Sequence, residues 1–353
     1  MDSSVLATAD QIHAADPGDM LKRIKDLPTQ VREAWRIAST AALHDRLRGA
    51  RDITVAGMGG SAIGGQLVAA LLQEALRIPM AVHRDYGLPG YVGPDSLVIV
   101  SSFSGNTEET LSAFAEARKR RAKVIAITTG GKVAELAKSE GVPLLSFDYD
   151  AQPRAALGYS LGLVLGTLER LGYVTGISDQ IEPALHDVAQ IQARVDEGGA
   201  TNDAKQLAIE LAGHIPMTFG AGVMAVMARR VKDQWNENAK NWSSYDTMSE
   251  LNHNAVVGFP NPAIARAALR VLLLRSDRDN QRHKMRFDVT SELLDRAQIV
   301  HRTLAFPGQS MLSEVLQLAY FTDYVSFYLA LLNGVDPSEV RSIDYLKDQL
   351  AKG

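Results

Sequence analysis

The chain has 353 residues, of which 46% are hydrophobic and 22% charged, with a formal net charge of -4 at pH 7. This length favours two domains over a single hydrophobic core. The charge gives no sign of the clustered Lys and Arg that nucleic-acid binding requires. Cysteine is absent, which excludes disulfides, thiolate metal sites, iron–sulfur clusters and a cysteine nucleophile.

The N-terminus lacks the basic start and apolar run of a signal peptide. No window approaches the roughly 20 apolar residues that we expect of a membrane span. We therefore expect a cytoplasmic protein with neither membrane nor nucleic-acid partners.

Residues 19–50 have helical apolar spacing that is interrupted at Pro28, which predicts two helices before the first strand. Strands and helices then alternate, as is typical of a parallel sheet covered by helices on both faces. The predicted strands are ITVAGM, PMAVHRD, SLVIVSSFS, AKVIAITTG and PLLSFD, and the predicted helices begin near Ile63, Glu108 and Val133.

Residues 154–198 lose strand signals and predict a helical connection, after which the alternation resumes. Its strands are HIPMTFGAG, ALRVLLLRS and IVHRTLAF, and its helices cover residues 224–240, begin near Asn280 and cover residues 311–332. We predict an α/β fold of two tandem doubly wound domains, residues 1–155 and 156–353, each a mainly parallel sheet flanked by helices.

VAGMGGSAIGG, residues 55–65, is a glycine-rich loop between a predicted strand and helix, a place where a phosphate is often held. Gly57, Gly59 and Ala62 fit a dinucleotide fingerprint, although Asp85 is an indifferent match for the acidic residue expected after the second strand. The absence of a following Gly-Lys-Ser/Thr excludes a P-loop. This loop alone leaves a dinucleotide and a sugar phosphate open.

SSFSGNTEET, residues 101–110, follows a buried strand and opens a helix. Its hydroxyl and turn residues are Ser102, Ser104, Gly105, Asn106 and Thr107. A helix N-terminus offers unpaired N–H groups and a favourable dipole to an anion. A simple N-cap needs only one such residue. The cluster, with the glycine loop and TTGGK at 128–132, therefore favours a monophosphate.

GGS, SFSGNT and TTGG at 59–61, 102–107 and 128–131 resemble the hallmarks of the sugar isomerase (SIS) domain. From about residue 20 to 350 the chain resembles the bifunctional phosphoglucose/phosphomannose isomerase family, through MLKRIKDLPTQ, NENAKN, ELNHN and DYVSFYLALLNGVDP. The resemblance implies two tandem SIS-type domains. It also implies interconversion of fructose 6-phosphate with glucose 6-phosphate and mannose 6-phosphate through a cis-enediol, without metal or cofactor.

The resemblance also implies site residues. The implied phosphate-binding residues are Gly60, Ser61, Ser102, Ser104, Asn106 and Thr107. The implied catalytic residues are Glu237 as base, His253 for ring opening, Arg154 beside the enediol and Lys347 near the C-terminus. A homodimer is implied in which His253 completes the partner's active site, and a small hydroxyl near Ser338 is expected to permit both C2 epimers.

These residue types suit the chemistry, because one positioned glutamate can move a proton between C2 and C1, and a histidine can transfer the hydroxyl proton during ring opening. An arginine can stabilise the charge of the enediol. Glu250 and His253 also form E-x-x-H, but a di-iron site needs a second copy that this sequence lacks, so we predict no metal site.

Two alternatives remain open at this point. One is an isomerase of another sugar phosphate, and the other is a non-catalytic SIS protein that binds a sugar phosphate. A regulator would need an output module such as a helix-turn-helix, and the segment before the first strand is too short and too weakly basic for one.

Overall fold

The computed structural model describes residues 3–196, 198, 202–350 and 352. It divides into two compact units, the first unit being Asp26–Leu185 and the second unit Met1–Lys25 with His186–Gly353. These units differ from the domain limits predicted at residues 155 and 156. The difference arises because the N-terminal helix bearing Met20 and Leu21 buries both side chains in the second unit, while the helix that follows residue 156 packs in the first.

The strands are β1 (Asp52–Ala56), β2 (Met80–His83), β3 (Ser96–Ser101), β4 (Lys123–Thr128), β5 (Leu144–Ser146), β6 (Ile215–Ala221), β7 (Ser244–Met248), β8 (Leu269–Arg275) and β9 (His301–Ala305). The helices are α1 (Ala9–Ala14), α2 (Met20–Lys25), α3 (Leu27–Thr40), α4 (Gly59–Leu71), α5 (Glu108–Lys119), α6 (Gly131–Ser139), α7 (Leu157–Arg170), α8 (Ser178–Val195), α9 (Asp203–Leu211), α10 (Val223–Glu237), α11 (Ala255–Gly258), α12 (Ala265–Ala268), α13 (Gln281–Arg296), α14 (Met311–Leu332) and α15 (Arg341–Leu350).

The sheet of the first unit has the order β2-β1-β3-β4-β5, and all its neighbouring strands are parallel. β3 is buried along its whole length, as expected of a strand covered on both faces. The chain runs from β1 to one side and then returns to the other, so the sheet is doubly wound. The predicted α/β class is confirmed for this unit.

Helix α7 packs closely on α3 because small residues face each other at four-residue intervals. A Cβ added to Gly158, Gly162 or Gly166 would lie 2.5, 2.8 and 2.7 Å from the Cβ atoms of Gln30, Ala34 and Ala38 respectively. Only glycine on α7 leaves room for this approach. The predicted start of α3 at the Pro28 break is confirmed, since Pro28 occupies its first turn.

The sheet of the second unit has the order β7-β6-β8-β9 and is also fully parallel. All eight predicted strands of the chain are present. β7 was not predicted, because SYDTM is short, polar at Asp246 and mostly half-buried, without the apolar run that marks a central strand. AVVGF begins helix α11, where the Asn254 side chain accepts from Ala255 N at 2.6 Å.

Helix α14 runs through the core of the second unit, and its residues from Leu312 to Leu332 are all buried. Its length and composition would suffice to cross a membrane, contrary to the sequence expectation that no window approaches a span. Its complete burial inside the fold is the behaviour of a core helix, so the observation gives little support for a membrane span.

Candidate functional site

The strand order of the first unit reverses between β1 and β3, and the loops that follow these strands meet at the carboxyl edge of the sheet. Ligands of open α/β sheets bind at such a switch point. The loop after β1 leads into the first turn of α4, Gly59–Ser61, and the loop after β3 carries Ser102–Thr107. The structure therefore brings all six predicted phosphate-binding residues to one edge.

The glycine loop after β1 makes close backbone contacts. A Cβ on Gly57 would lie 2.6 Å from Ser101 O, and one on Gly60 would lie 2.4 Å from Pro153 O. Gly59 has a φ of 49°, which favours glycine. Ser61 is buried, and its Oγ accepts from Phe103 N at 3.1 Å. The first two loops are thus joined directly by Ser61.

The hydroxyls of the second loop differ in their surroundings. Ser102 is buried, its Oγ donates to Thr107 Oγ1 at 3.1 Å, and it accepts from Gly105 N at 3.1 Å. Ser104 is exposed, and its Oγ accepts from Asn106 N at 3.2 Å. Thr107 is the N-cap of α5 and has no side-chain cap hydrogen bond, which leaves this helix N-terminus suited to an anion.

The third loop, TTGGK, supports the second. Asn106 Oδ1 accepts from Lys132 N at 3.1 Å. Gly105 has a φ of 68°, and an added Cβ would lie 1.9 Å from Gly130 O. Asn106 therefore uses its carbonyl oxygen to hold the loops together and can present only its amide nitrogen to a ligand.

Arg154 lies on a 3₁₀ turn, Pro153–Ala155, between β5 and α7. Its side chain is buried at 6% relative exposure. The turn abuts the glycine loop, since a Cβ on Gly60 would also lie 3.1 Å from Arg154 N. The structure thus places the predicted arginine next to the predicted phosphate loops.

Glu237 is the last residue of α10 in the second unit and is half-buried. It lines a cavity of about 710 Å³ together with Asn236, Lys240 and residues 334–336 and 339–343. A half-buried carboxylate at the wall of a cavity can both reach a bound molecule and be partly desolvated by it.

A buried polar network fixes α10 against α14. Arg230 donates from both Nη atoms to the Asp323 carboxylate at 2.7 Å, and Gln234 Nε2 donates to Asp323 Oδ1 at 2.8 Å. One turn further, Asn238 Nδ2 donates to Ser326 Oγ at 2.9 Å. Because these side chains recur every four residues, one face of α10 is held along its length and Glu237 projects from beside it.

His253 closes a 3₁₀ turn, Glu250–His253, that follows β7, and its side chain is exposed. Its neighbours hold the turn, as Asn252 Nδ2 donates to Thr290 Oγ1 at 2.9 Å and Asn254 Nδ2 donates to Glu250 Oε1 at 2.8 Å. Glu250 thus has a structural partner. Among the described residues no group of three or more potential ligands could hold a metal ion.

Lys347 lies on α15 and is exposed. It does not line the cavity of Glu237, whereas Lys240 and Arg341 do. Lys240 was missed by the sequence reasoning, although it belongs to the same NENAKN motif as Glu237. Its Nζ donates to Asp336 O, so it connects the end of α10 to the far wall of the cavity.

Ser338 is buried near this wall, and the N-terminal segment packs directly on it. A Cβ on Gly18 would lie 2.2 Å from Ser338 Oγ. Ser338 N donates to Asp336 Oδ1 at 2.7 Å, which places the serine beside two residues of the cavity lining, Asp336 and Glu339.

The corresponding edge of the second sheet has no comparable anion site among the residues that the structure describes. Ser276, directly after β8, donates to the buried carboxylate of Glu314 on α14, and its Oγ accepts from Arg278 N at 3.0 Å. Burial raises the pKa of Glu314, with the Ser276 hydrogen bond opposing this shift. The first unit has hydroxyl groups at the corresponding edge. Because the second unit has a buried carboxylic acid there instead, its edge is unsuited to a phosphate.

Family models match both halves of the chain. Residues 46–140 match the SIS domain, and residues 200–350 match the bacterial phospho-glucose isomerase C-terminal SIS domain. Among solved structures, a hypothetical protein from Thermus thermophilus is similar with a TM-score of 0.74 at 16% identity, over 97% of this chain and 92% of the other. This similarity supports the fold.

Two curated relatives carry the same name, bifunctional phosphoglucose/phosphomannose isomerase. The protein of Caldicellulosiruptor bescii is 37% identical over 94% of this chain and 99% of its own length. That of Aquifex aeolicus is 36% identical over 86% of this chain and 91% of its own length. The resemblance seen in the sequence is confirmed, and this chain belongs to the bifunctional phosphoglucose/phosphomannose isomerase family.

Proposed function

We propose that this protein is an aldose–ketose isomerase that interconverts fructose 6-phosphate with glucose 6-phosphate and mannose 6-phosphate. The observation that carries this proposal is the near full-length similarity to the relative from Caldicellulosiruptor bescii, which is named for both activities. The hydroxyl-lined edge in the first unit and the half-buried glutamate at a cavity in the second unit support it.

The substrate phosphate is proposed to bind at the carboxyl edge of β1 and β3. Its donors would be the hydroxyls of Ser61, Ser104 and Thr107, the Asn106 amide, and the backbone N–H groups at Gly60 and at the start of α5. A monophosphate suits this set because hydroxyl and amide donors with a helix N-terminus can bind it with few lysines. Ser102 would act by holding Thr107, to which it donates.

Glu237 is proposed as the base that removes the proton from C2 and returns it to C1 on the same face of a cis-enediol. His253 would transfer the hydroxyl proton that opens the sugar ring, since an imidazole can both donate and accept a proton. Arg154 would stabilise the negative charge that develops on the enediol oxygen. Lys347 is proposed as a further cation of the site.

The reaction as proposed needs no metal and no cofactor, because Glu237 alone can carry the proton between the two carbons. We propose a cytoplasmic homodimer in which His253 completes the partner's active site. Its support is that Val257 and Ile264, on the segment after His253, are 79% and 72% exposed, as expected of apolar residues at an interface.

A single assay tests this proposal. Purified protein is given fructose 6-phosphate with EDTA, and glucose 6-phosphate and mannose 6-phosphate are both quantified. The wild type is expected to form both, and Glu237→Gln is expected to lower kcat by about 10²–10⁴-fold while still binding substrate, because only the proton transfer is lost.

The matched control is Asp233→Asn, which alters a carboxylate one turn earlier on α10 that pairs with Lys232 instead of lining the cavity. It should retain wild-type turnover. Formation of neither aldose by the wild type would refute the proposed activity. Full activity of Glu237→Gln would refute the role of this base.

A further inference from the structure

Gln30 of α3, in the MLKRIKDLPTQ segment, is a buried amide at 1% relative exposure that uses both ends of its side chain. Nε2 donates to Tyr149 OH at 2.9 Å and to Ala155 O at 2.8 Å, and Oε1 accepts from Gly158 N at 3.1 Å. A buried amide is costly unless it is hydrogen-bonded, so this arrangement is one specific, well-satisfied conformation.

These three partners of Gln30 belong to the short segment between β5 and the start of α7. Ala155 and Gly158 follow Arg154 by one and four residues, and Tyr149 precedes it by five. Tyr149 OH also donates to Asp26 Oδ2 at 3.2 Å, one turn before Gln30 on the same side of the chain. The start of α3 therefore holds the segment on both sides of Arg154.

The same segment is confined on its other side by the glycine loop. Pro153 O lies so close to Gly60 that a Cβ added to Gly60 would be only 2.4 Å from it. Gly158 likewise permits α7 to lie against Gln30, where an added Cβ would come within 2.5 Å of the Gln30 Cβ. The turn that carries Arg154 is thus held by Gln30 on one side and lies in close backbone contact with Gly60 on the other.

We propose that Gln30 is a positioning residue that sets the place of the Arg154 guanidinium relative to the Gly60–Ser61 loop. This inference rests on the proposed function, in which Arg154 stabilises the enediol. The phosphate and the enediol oxygen are parts of one substrate molecule, so their two binding groups must be held at a fixed separation. Misplacement of a catalytic group by about 1 Å can cost roughly 10²-fold in rate.

The test uses Gln30→Met, which keeps the side-chain volume and removes these three hydrogen bonds. Its matched control is Gln317→Met, because Gln317 is also a buried helical glutamine, and its Nε2 donates to Pro307 O at 3.0 Å and to Ser313 Oγ at 3.2 Å. We expect Gln30→Met to lower kcat by about 10- to 100-fold with a much smaller change in KM. Gln317→Met should leave both near wild type at a similar loss of Tm.

A double-mutant cycle asks whether Gln30 acts through Arg154. In an Arg154→Lys background, Gln30→Met is expected to lower kcat by less than about threefold, because the group that it positions is already altered. A full second loss of kcat in that background would overturn the proposal, and so would equal losses of kcat in Gln30→Met and Gln317→Met.

Hydrogen–deuterium exchange supplies a readout that does not depend on turnover. Amides of residues 150–158 are expected to exchange faster in Gln30→Met than in wild type and to be unchanged in Gln317→Met. If the wild type did not isomerise sugar phosphates, the proposed function would fail. The exchange result would still decide whether Gln30 holds the Arg154 turn, and unchanged exchange would overturn the inference.

Discussion

Single residues of the phosphate edge are not interchangeable, although the sequence presents them as one cluster. Ser102 is buried and uses its hydroxyl proton on Thr107 while accepting from Gly105 N. Ser104 is exposed and accepts from Asn106 N, so its proton can point towards a ligand. The same residue type thus supports the loop at one position and is exposed two residues later, where we propose that it binds the phosphate.

This difference predicts opposite outcomes for two serine-to-alanine variants. Ser104→Ala should raise KM for fructose 6-phosphate by roughly 10- to 100-fold with little change in Tm, because a hydrogen bond to a charged group is lost. Ser102→Ala should lower the free energy of unfolding by about 0.5–1.5 kcal/mol, because the Oγ hydrogen bonds to Gly105 N and Thr107 Oγ1 are lost while Gly105 N keeps its bond to Ser102 O at 3.3 Å. Steady-state kinetics and thermal unfolding of both variants check this. An unchanged Tm in Ser102→Ala would contradict the assignment.

At the scale of elements, the contact of α7 with α3 depends on glycines that the sequence alone does not mark. Gly158, Gly162 and Gly166 recur every four residues, which in isolation suggests a weak helix, since glycine is unfavourable in helix interiors. The need for glycine at these positions is explained by the structure, in which Ala34 and Ala38 of α3 lie opposite them. Because the two helices approach so closely, the space available for a side chain, and not helix propensity, determines which residue α7 can have at these positions.

Gly162→Ala is therefore expected to destabilise the protein. The added Cβ would lie 2.8 Å from the Ala34 Cβ, and overpacking of this kind costs about 1–3 kcal/mol, more than the gain in helix propensity of about 1 kcal/mol. Gly258→Ala is the control, since a Cβ there meets nothing within 4 Å. Chemical unfolding should show a loss for the first and no loss for the second. A stabilised Gly162→Ala would show that the two helices can separate at little cost.

Elements that have a clear apolar pattern could be predicted from the sequence. Elements that depend on pairing or capping contacts in the folded chain could not. α14 was predicted as residues 311–332 and is found over that range because apolar residues predominate along its whole length. β7 was missed because it pairs on only one side and keeps polar residues such as Asp246. α11 contains the β-branched residues Val256 and Val257, which favour strands, but the Asn254 cap, a local hydrogen bond, starts a helix there.

At the scale of the whole molecule, short motifs indicate which residues we propose to bind the ligand but not which residues hold them in place. Ser61, Ser102 and Thr107 belong to short segments whose residue types predict an anion site. Gln30 and Ala155 are 125 residues apart, and no local pattern links them before the chain is folded. Likewise the two sheets share a winding pattern, yet the Glu314 carboxylate lies at the edge of the second sheet. It comes from a helix and is 38 residues from its partner Ser276, so no local motif predicts it.

The proposed homodimer makes the sharing of active sites testable by mixing two inactive variants. Glu237→Gln and His253→Ala should each be nearly inactive. If His253 serves the partner's site, a mixed dimer contains one site with both substitutions and one with neither. Random exchange of subunits should then restore about one quarter of the wild-type activity, because half of the dimers are mixed and half of their sites are intact.

Interface variants complete this test. Val257→Glu should give a monomer in sedimentation and lose activity, because a charge replaces an apolar residue at the proposed contact. Ile209→Glu, which alters a residue of α9 that is 49% exposed, should remain dimeric and active. Activity that stays absent on mixing the two inactive variants, although exchange of subunits is demonstrated, would place Glu237 and His253 in the same subunit's site and refute the shared arrangement.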